Sequence, residues 1–222
     1  MQPTLRPRIK ICCIQNVNEA RLAIKYGAAA LGFVSEMPSG PGVISEELIY
    51  EIAAKTPPAV ATFLLTSRQH PSEIILQQKR CGTNSIQLVD NLREGSYSEL
   101  RTALPGITLI PVIHVTGPES IVAALALAPQ VNGVLLDSGN PNLAVKELGG
   151  TGRTHDWEIS KEIRQRIQIP VFLAGGLHAG NVTEAIRRVR PFGVDVCSGV
   201  RTDGQLDEIK LAAFMSAAGA RV

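Results

Sequence analysis

Aromatic side chains are scarce in this 222-residue chain: five Phe, three Tyr and one Trp make up 4% of it. Proteins that hold single-stranded nucleic acid stack bases on exposed rings, and so thin a supply argues against that role. An excess of charge of one sign is also missing. Twenty-two Lys and Arg face 20 Asp and Glu, leaving a formal charge of +2, too balanced for a protein that grips nucleic-acid phosphates through a basic face. No apolar run approaches the roughly 20 residues of a membrane-spanning helix, even around 121–128. The opening Met-Gln-Pro-Thr-Leu-Arg-Pro-Arg carries charge with no long apolar stretch behind it, so no secretory leader is expected and the cytoplasm is the expected location. Only four cysteines occur, Cys12, Cys13, Cys81 and Cys197. They lack the Cys-x-x-Cys pairs of a zinc site, and a chain of this size does not need disulfide staples. All four are read as thiols, and no metal is expected.

What is present is a globular balance, 45% hydrophobic and 19% charged, with 20 Gly and 14 Pro scattered without a period. Short β-branched and apolar runs alternate with amphipathic stretches from one end to the other, the pattern of repeated βα units and a parallel sheet. The strand candidates are 8–14, 30–34, 60–65, 85–89, 108–115, 133–137, 170–174 and 193–197. Helix signals follow each. Asn18 is placed to cap 19–26, which Gly27 stops, and Ser45 precedes Glu46, Glu47 and an apolar face. Pro71 and Pro118 open two more helices, and 97–103, 157–167, 181–189 and 206–218 complete the set. Eight units in 222 residues are about 28 residues each, which fits a single (βα)8 TIM barrel over 1–222. A doubly wound open sheet is the runner-up, but Cys12-Cys13-Ile14-Gln15 is not the Gly-rich turn such a fold carries after its first strand.

A barrel places its chemistry at the carboxyl ends of the strands. After the seventh strand comes Ala174-Gly175-Gly176-Leu177, and after the eighth Cys197-Ser198-Gly199-Val200. Glycine turns at these two loops leave backbone N–H groups open, so Gly175, Gly176, Ser198 and Gly199 are the expected phosphate site. Either pair alone would equally serve as a tight turn. Cys12 ends the first strand with Lys10 two residues before it on the same face, and Cys13 is expected to point outward. A thiol beside a cation can act as base or nucleophile, although cysteine is also a common core filler. Asp137 closes the apolar run Val134-Leu135-Leu136, where a carboxylate has little packing value, so an acid or base role is expected. Asp195 either orients Lys10 or a loop, or meets ligand. The loop 149–154 could cover a ligand. His114, His155 and His178 are assigned no role, beyond His178 as a possible cap for the seventh helix.

The ordered run of Lys10-Ile11-Cys12, Leu31-Gly32-Phe33-Val34, Leu135-Leu136-Asp137, the segment from Gly149 into Asp156-Trp157, Ala174-Gly175-Gly176-Leu177 and Val194 to Val200 resembles the phosphoribosylanthranilate isomerase family. The resemblance covers nearly the whole chain. It implies an Amadori rearrangement of N-(5-phosphoribosyl)anthranilate in tryptophan biosynthesis, with neither metal nor organic cofactor. It further implies that Asp137 is the general acid, that Cys12 is the base, and that the phosphate rests on backbone of Gly175, Gly176, Ser198 and Gly199.

The chain departs from the family pattern at three places. Cys13 and Gln15 interrupt the usual Cys-Gly-Ile-Thr, Gly42 stands where the family carries an arginine for the anthranilate carboxylate, and Val89 stands in place of a histidine. Losing a charge-assisted clamp costs about 1.5 to 3 kcal/mol. Three readings stay open on the sequence. The first is the isomerase itself, with Arg68 or Arg201 supplying the missing cation and Lys10 and Asp195 as further substrate contacts. The second is a paralogue acting on another phosphorylated sugar or amine, and the third a non-catalytic binder of phosphorylated ligands. The expected partner is a phosphorylated small molecule in each case, and the oligomeric state is left open.

Overall fold

Eight parallel strands close into a barrel in chain order, the first pairing with the eighth, in a computed structural model that describes residues 6–139, 152 and 154–219. The strands are β1 (Arg8–Ile11), β2 (Ala30–Val34), β3 (Ala61–Thr66), β4 (Ser85–Leu88), β5 (Thr108–His114), β6 (Val134–Asp137), β7 (Val171–Leu173) and β8 (Gly193–Val196). The helices are α1 (Val17–Lys25), α2 (Glu46–Lys55), α3 (Pro71–Cys81), α4 (Tyr97–Ala103), α5 (Glu119–Leu127), α6 (Trp157–Arg166), α7 (Val182–Val189) and α8 (Glu208–Gly219). Between β8 and α8 lie a 3-10 turn, Ser198–Val200, and a small antiparallel hairpin of β9 (Arg201–Thr202) and β10 (Gln205–Leu206). This is the (βα)8 barrel expected from the alternation. Among the described residues no helix is long and apolar enough to cross a membrane.

The strands read as continuous apolar runs because both of their faces are covered. Outward-facing Ile11, Leu31, Leu64, Ile86, Leu136, Leu173 and Val194 are fully or almost fully buried under the helices. Each such side chain contributes about 1.5 to 3 kcal/mol by leaving water. Inside the barrel, Phe63, Ile110, Leu135 and Phe172 form a second apolar layer, with Phe172 edge-on to both Phe63 and Phe192. Register sets Phe172 beside Gly193, two residues before Asp195. An aromatic floor therefore lies beneath the polar layer of Lys10 and Asp195.

Helix entry follows local chemistry. Ser45 caps α2 as expected, accepting from Leu48 N at 3.2 Å. Helix α1 begins earlier than expected, and Asn16 rather than Asn18 caps it, its Oδ1 accepting from Glu19 N at 2.9 Å. Asn181, at the start of α7, turns back into the preceding loop instead: it accepts from His178 N and donates to Gly176 O, both at 2.9 Å. His178 does not cap α7 with its ring, which takes the N–H of Gly180 at 3.1 Å.

Two expectations about cysteine are corrected. Strand β1 ends at Ile11, so the in-and-out alternation stops there, and Cys13 adopts a left-handed backbone with φ 60°. It faces the mouth of the barrel and not the helices. Cys13 is also joined to Cys197 as a disulfide, their Cα atoms 5.9 Å apart across 184 residues of sequence, so only Cys12 and Cys81 are free thiols. Barrel closure is the cause: Ile11 pairs with Val196, which brings the residues just beyond the two strands within bridging range.

Candidate active site

A cavity of about 70 Å³ opens at the carboxyl ends of the strands. One wall is built from the loops after β7 and β8, with Gly175, Gly176, Leu177, Cys197 and Ser198. The opposite wall is largely apolar and comes from β2, β3, β4 and the loop after β2, with Val34, Met37, Pro41, Leu65 and Val89. Between them stand Cys12 and Cys13 from the end of β1, Asp137 from β6 and Asp195 from β8.

Lys10 lies just below, with no exposed surface, and donates from Nζ to Asp195 Oδ2 at 2.8 Å. Its ammonium sits 5.3 Å from the centre of the Phe63 ring. Burial works against the lysine charge, but Asp195 and then Cys12 outweigh it and hold the ammonium above the ordinary lysine value. Burial pushes the Cys12 thiol up to about 11, with Lys10 opposing that push and Asp195 adding to it. The other carboxylate oxygen of Asp195, Oδ1, is buried with no hydrogen-bond partner. Such an acceptor on a cavity wall is suited to a ligand hydroxyl.

Asp137 is held differently. Burial raises its carboxyl above the usual range, against a 2.7 Å hydrogen bond from Ser138 N that favours the charged form. An acid that keeps its proton longer than usual is suited to giving it to a ligand. The turns opposite are backbone-rich. Gly175 and Gly176 have φ of 82° and 59°, a left-handed conformation that other residues adopt only under strain. Gly199 follows Ser198 in the 3-10 turn and is pressed on the Leu177 carbonyl, where any side chain would collide. Gly199 itself does not line the cavity, whereas Gly175, Gly176 and Ser198 do.

The structure does not bring the two expected cations to this cavity. Arg68 lies toward α2 and α3, 3.8 Å from a Glu46 oxygen and 4.0 Å from one of Glu73. Arg201 is buried against Glu19, its Nη2 donating to Glu19 Oε2 at 3.0 Å, to the Cys12 carbonyl at 3.3 Å and to the Cys13 carbonyl. It fastens the loop after β1 from behind. Of the loop 149–154, only Gly152, which lines the cavity, and Thr154 lie within the described residues. Gln87 is a wall residue that no sequence argument singled out. Its Oε1 is buried without a partner, and the signal was available in the polar–apolar alternation of Ser85-Ile86-Gln87-Leu88, which puts Gln87 on the inner face of a buried strand. Half-buried His155 has its ring pushed down to about 4 by desolvation, so it is neutral at pH 7, and its Nε2 meets Ser160 Oγ at 2.7 Å.

Residues 9–217 match the family model described as N-(5'-phosphoribosyl)anthranilate (PRA) isomerase. The chain belongs to this family. A PRA isomerase of Methanosarcina mazei, the second of that organism, is 37% identical over 210 residues, covering 94% of this chain and 92% of the relative. The PRA isomerase of Haloferax volcanii is 33% identical over 213 residues, 95% of this chain and 92% of its own. The crystal structure of PRA isomerase from Thermotoga maritima superposes with a TM-score of 0.80 at 31% identity, over 96% of this chain and 98% of that one. A PRA isomerase solved with reduced 1-(o-carboxyphenylamino)-1-deoxyribulose 5-phosphate superposes with a TM-score of 0.77 at 30% identity, over the same shares. Two of the departures from the PRA isomerase pattern fall on the apolar wall or beside it. Val89 lines the cavity, and Gly42 packs on Cys13.

Proposed function

We propose that this chain isomerises N-(5'-phosphoribosyl)anthranilate to 1-(o-carboxyphenylamino)-1-deoxyribulose 5-phosphate, with Asp137 as acid and Cys12 as base. The observation that carries the assignment is that a carboxyl raised by burial and a free thiol line one cavity, beside the glycine turns after β7 and β8. The phosphate rests on backbone of Gly175, Gly176 and Ser198, with Gly199 shaping the turn. The sugar then runs across the mouth toward Met37, Leu65 and Val89, which give the aromatic ring an apolar seat. Asp195 Oδ1 and Gln87 Oε1 are the open acceptors for sugar hydroxyls.

Asp137 gives its proton to the furanose oxygen. The bond from that oxygen to C1' breaks, and the nitrogen lone pair forms the C1'=N iminium. The iminium acidifies the C2' hydrogen, which the Cys12 thiolate removes, and the electron pair moves through C1' to neutralise the nitrogen. The enol hydroxyl at C2' then returns a proton to Asp137 while C1' takes one from the Cys12 thiol. Both groups are restored, and no electrons leave the substrate. One acid and one base suffice, each contributing about 10²- to 10⁴-fold.

The test is a continuous fluorescence assay with freshly made phosphoribosylanthranilate, comparing wild type with Cys12→Ala and Asp137→Asn. Turnover in the wild type that both changes abolish supports the assignment. Absence of turnover in a protein that sugar phosphates stabilise against heat would refute it.

A further inference from the structure

We propose that Lys10, held in place by Asp195, is the positioning residue for Cys12: its ammonium is the counter-charge of the thiolate. The proposal rests on the reading of Cys12 as the base and deepens it. At neutral pH a thiol at about 11 is ionised to only about one part in 10⁴, so the mechanism depends on whatever favours the thiolate in that pocket.

The geometry singles out Lys10. Residues two apart on a strand share a face, and the ladder runs through Lys10, which pairs with Asp195 on one side and Ala30 on the other. Asp195 takes the ammonium through a single 2.8 Å bond, and an ammonium has three hydrogens to give. The residue two beyond Ala30 is Gly32. A Cβ there would lie 2.9 Å from Cys12 Sγ and 2.9 Å from Lys10 Nζ. Sulfur and nitrogen thus border one point and lie within about 6 Å of each other, the range in which an opposite charge favours ionisation. Gly32 leaves that space to them. Among the described residues, the other charges around the thiol are Asp195 on β8, Asp137 on β6 across the mouth, and Arg201, which reaches the backbone carbonyl of Cys12 and not its sulfur. Lys10 and Asp195 act on the thiol with opposite signs, which gives the proposal a directional test.

The experiment measures alkylation of Cys12 by iodoacetamide between pH 7 and 9.5, located by peptide mass so that Cys81 is counted separately, in wild type, Lys10→Met, Lys10→Gln, Lys10→Arg and Asp195→Asn. Steady-state kcat and KM accompany it. Lys10→Met should slow alkylation at least tenfold, the equivalent of one pH unit in the thiol, and lower kcat far more than it raises KM. Lys10→Arg should restore most of the rate, and Asp195→Asn should speed alkylation. A folded Lys10→Met alkylated at the wild-type rate overturns the proposal. Should Lys10→Met fail to fold by circular dichroism, Lys10→Gln decides: slower alkylation supports the proposal, and an unchanged or faster rate overturns it. Alkylation is read without substrate, so expected shifts in a protein that does not turn over phosphoribosylanthranilate would refute the substrate and keep this role for Lys10. Normal turnover with unshifted alkylation would do the reverse.

Discussion

Gly42 and Cys13 touch at the mouth of the barrel so closely that a Cβ on Gly42 would lie 2.6 Å from the Cβ of Cys13. The loop after β2 therefore crosses Cys13 at a point where neither backbone has room to spare. Two of the positions at which the chain departs from the family pattern, 13 and 42, are therefore neighbours in space.

Gly42→Ala tests this contact. The residue has φ 81°, where a side chain costs about 1 to 2 kcal/mol, and the overlap with Cys13 adds a packing cost of about 1 to 3 kcal/mol. The expected outcome is a loss of about 2 to 5 kcal/mol by urea denaturation. Gly40→Ala has open space around its Cβ despite φ 111° and should lose only the backbone part. Equal losses at the two positions would mean that the contact with Cys13 is unimportant.

Asp137→Asn should separate catalysis from stability. Because the folded carboxyl is raised above 3.8 by burial, the folded chain holds a proton there that the unfolded chain has already lost. Stability therefore falls as pH climbs from about the unfolded value through the folded one. An amide cannot ionise, so the variant should gain on the wild type as pH rises from 4 to 8, while its kcat falls by about 10²-fold or more. Denaturation curves at both pH values check the first part. A wild type that gains on the variant with rising pH would contradict a proton-holding Asp137.

The Cys13–Cys197 bridge predicts two thiols by Ellman titration of the unfolded, unreduced protein, and four after treatment with a dithiol. Reduction exchanges one protein disulfide for two thiols and oxidises the dithiol. Releasing a cross-link across 184 residues should cost about 2 to 5 kcal/mol of stability, visible as a lower melting temperature. Four thiols before reduction would disprove the bridge.

That bridge also shows where the sequence stopped being informative. The barrel itself was legible, because eight apolar runs alternating with capped amphipathic helices leave few other architectures, and the βα order then placed Cys12, Asp137 and the glycine turns at one rim. Contacts between the two ends of the chain were not legible from local pattern. Cys13 and Cys197 meet only because β1 pairs with β8, and Arg201 turns from a free cation into an anchor only because the hairpin after β8 folds over Glu19. Even the side on which Cys13 lies depended on β1 ending at Ile11 and on a left-handed backbone beyond it, neither of which periodicity reveals.

Arg201→Met tests the anchor. Glu19 accepts from Arg201 Nη1 and Nη2 at 3.1 and 3.0 Å, and from the N–H groups of Leu206 and Gln15, each at 3.0 Å. Burial alone would raise its carboxyl, but these donors, Arg201 foremost, outweigh it and hold Glu19 below the ordinary 4.5. A depressed carboxylate contributes stability that is complete above the unfolded value and lost as pH falls through the folded one. Removing the guanidinium leaves a buried carboxylate uncompensated, at a cost of about 3 to 5 kcal/mol, and should erase much of that acid-side loss. Because Arg201 also holds the carbonyls of Cys12 and Cys13, kcat should fall while KM changes less. Glu19→Gln, which keeps the shape and an acceptor, should retain more kcat than Arg201→Met. A double-mutant cycle should give a coupling of about 1 kcal/mol or more, since the pair shares one network. A coupling near zero would show that Arg201 acts on the loop through the carbonyls alone.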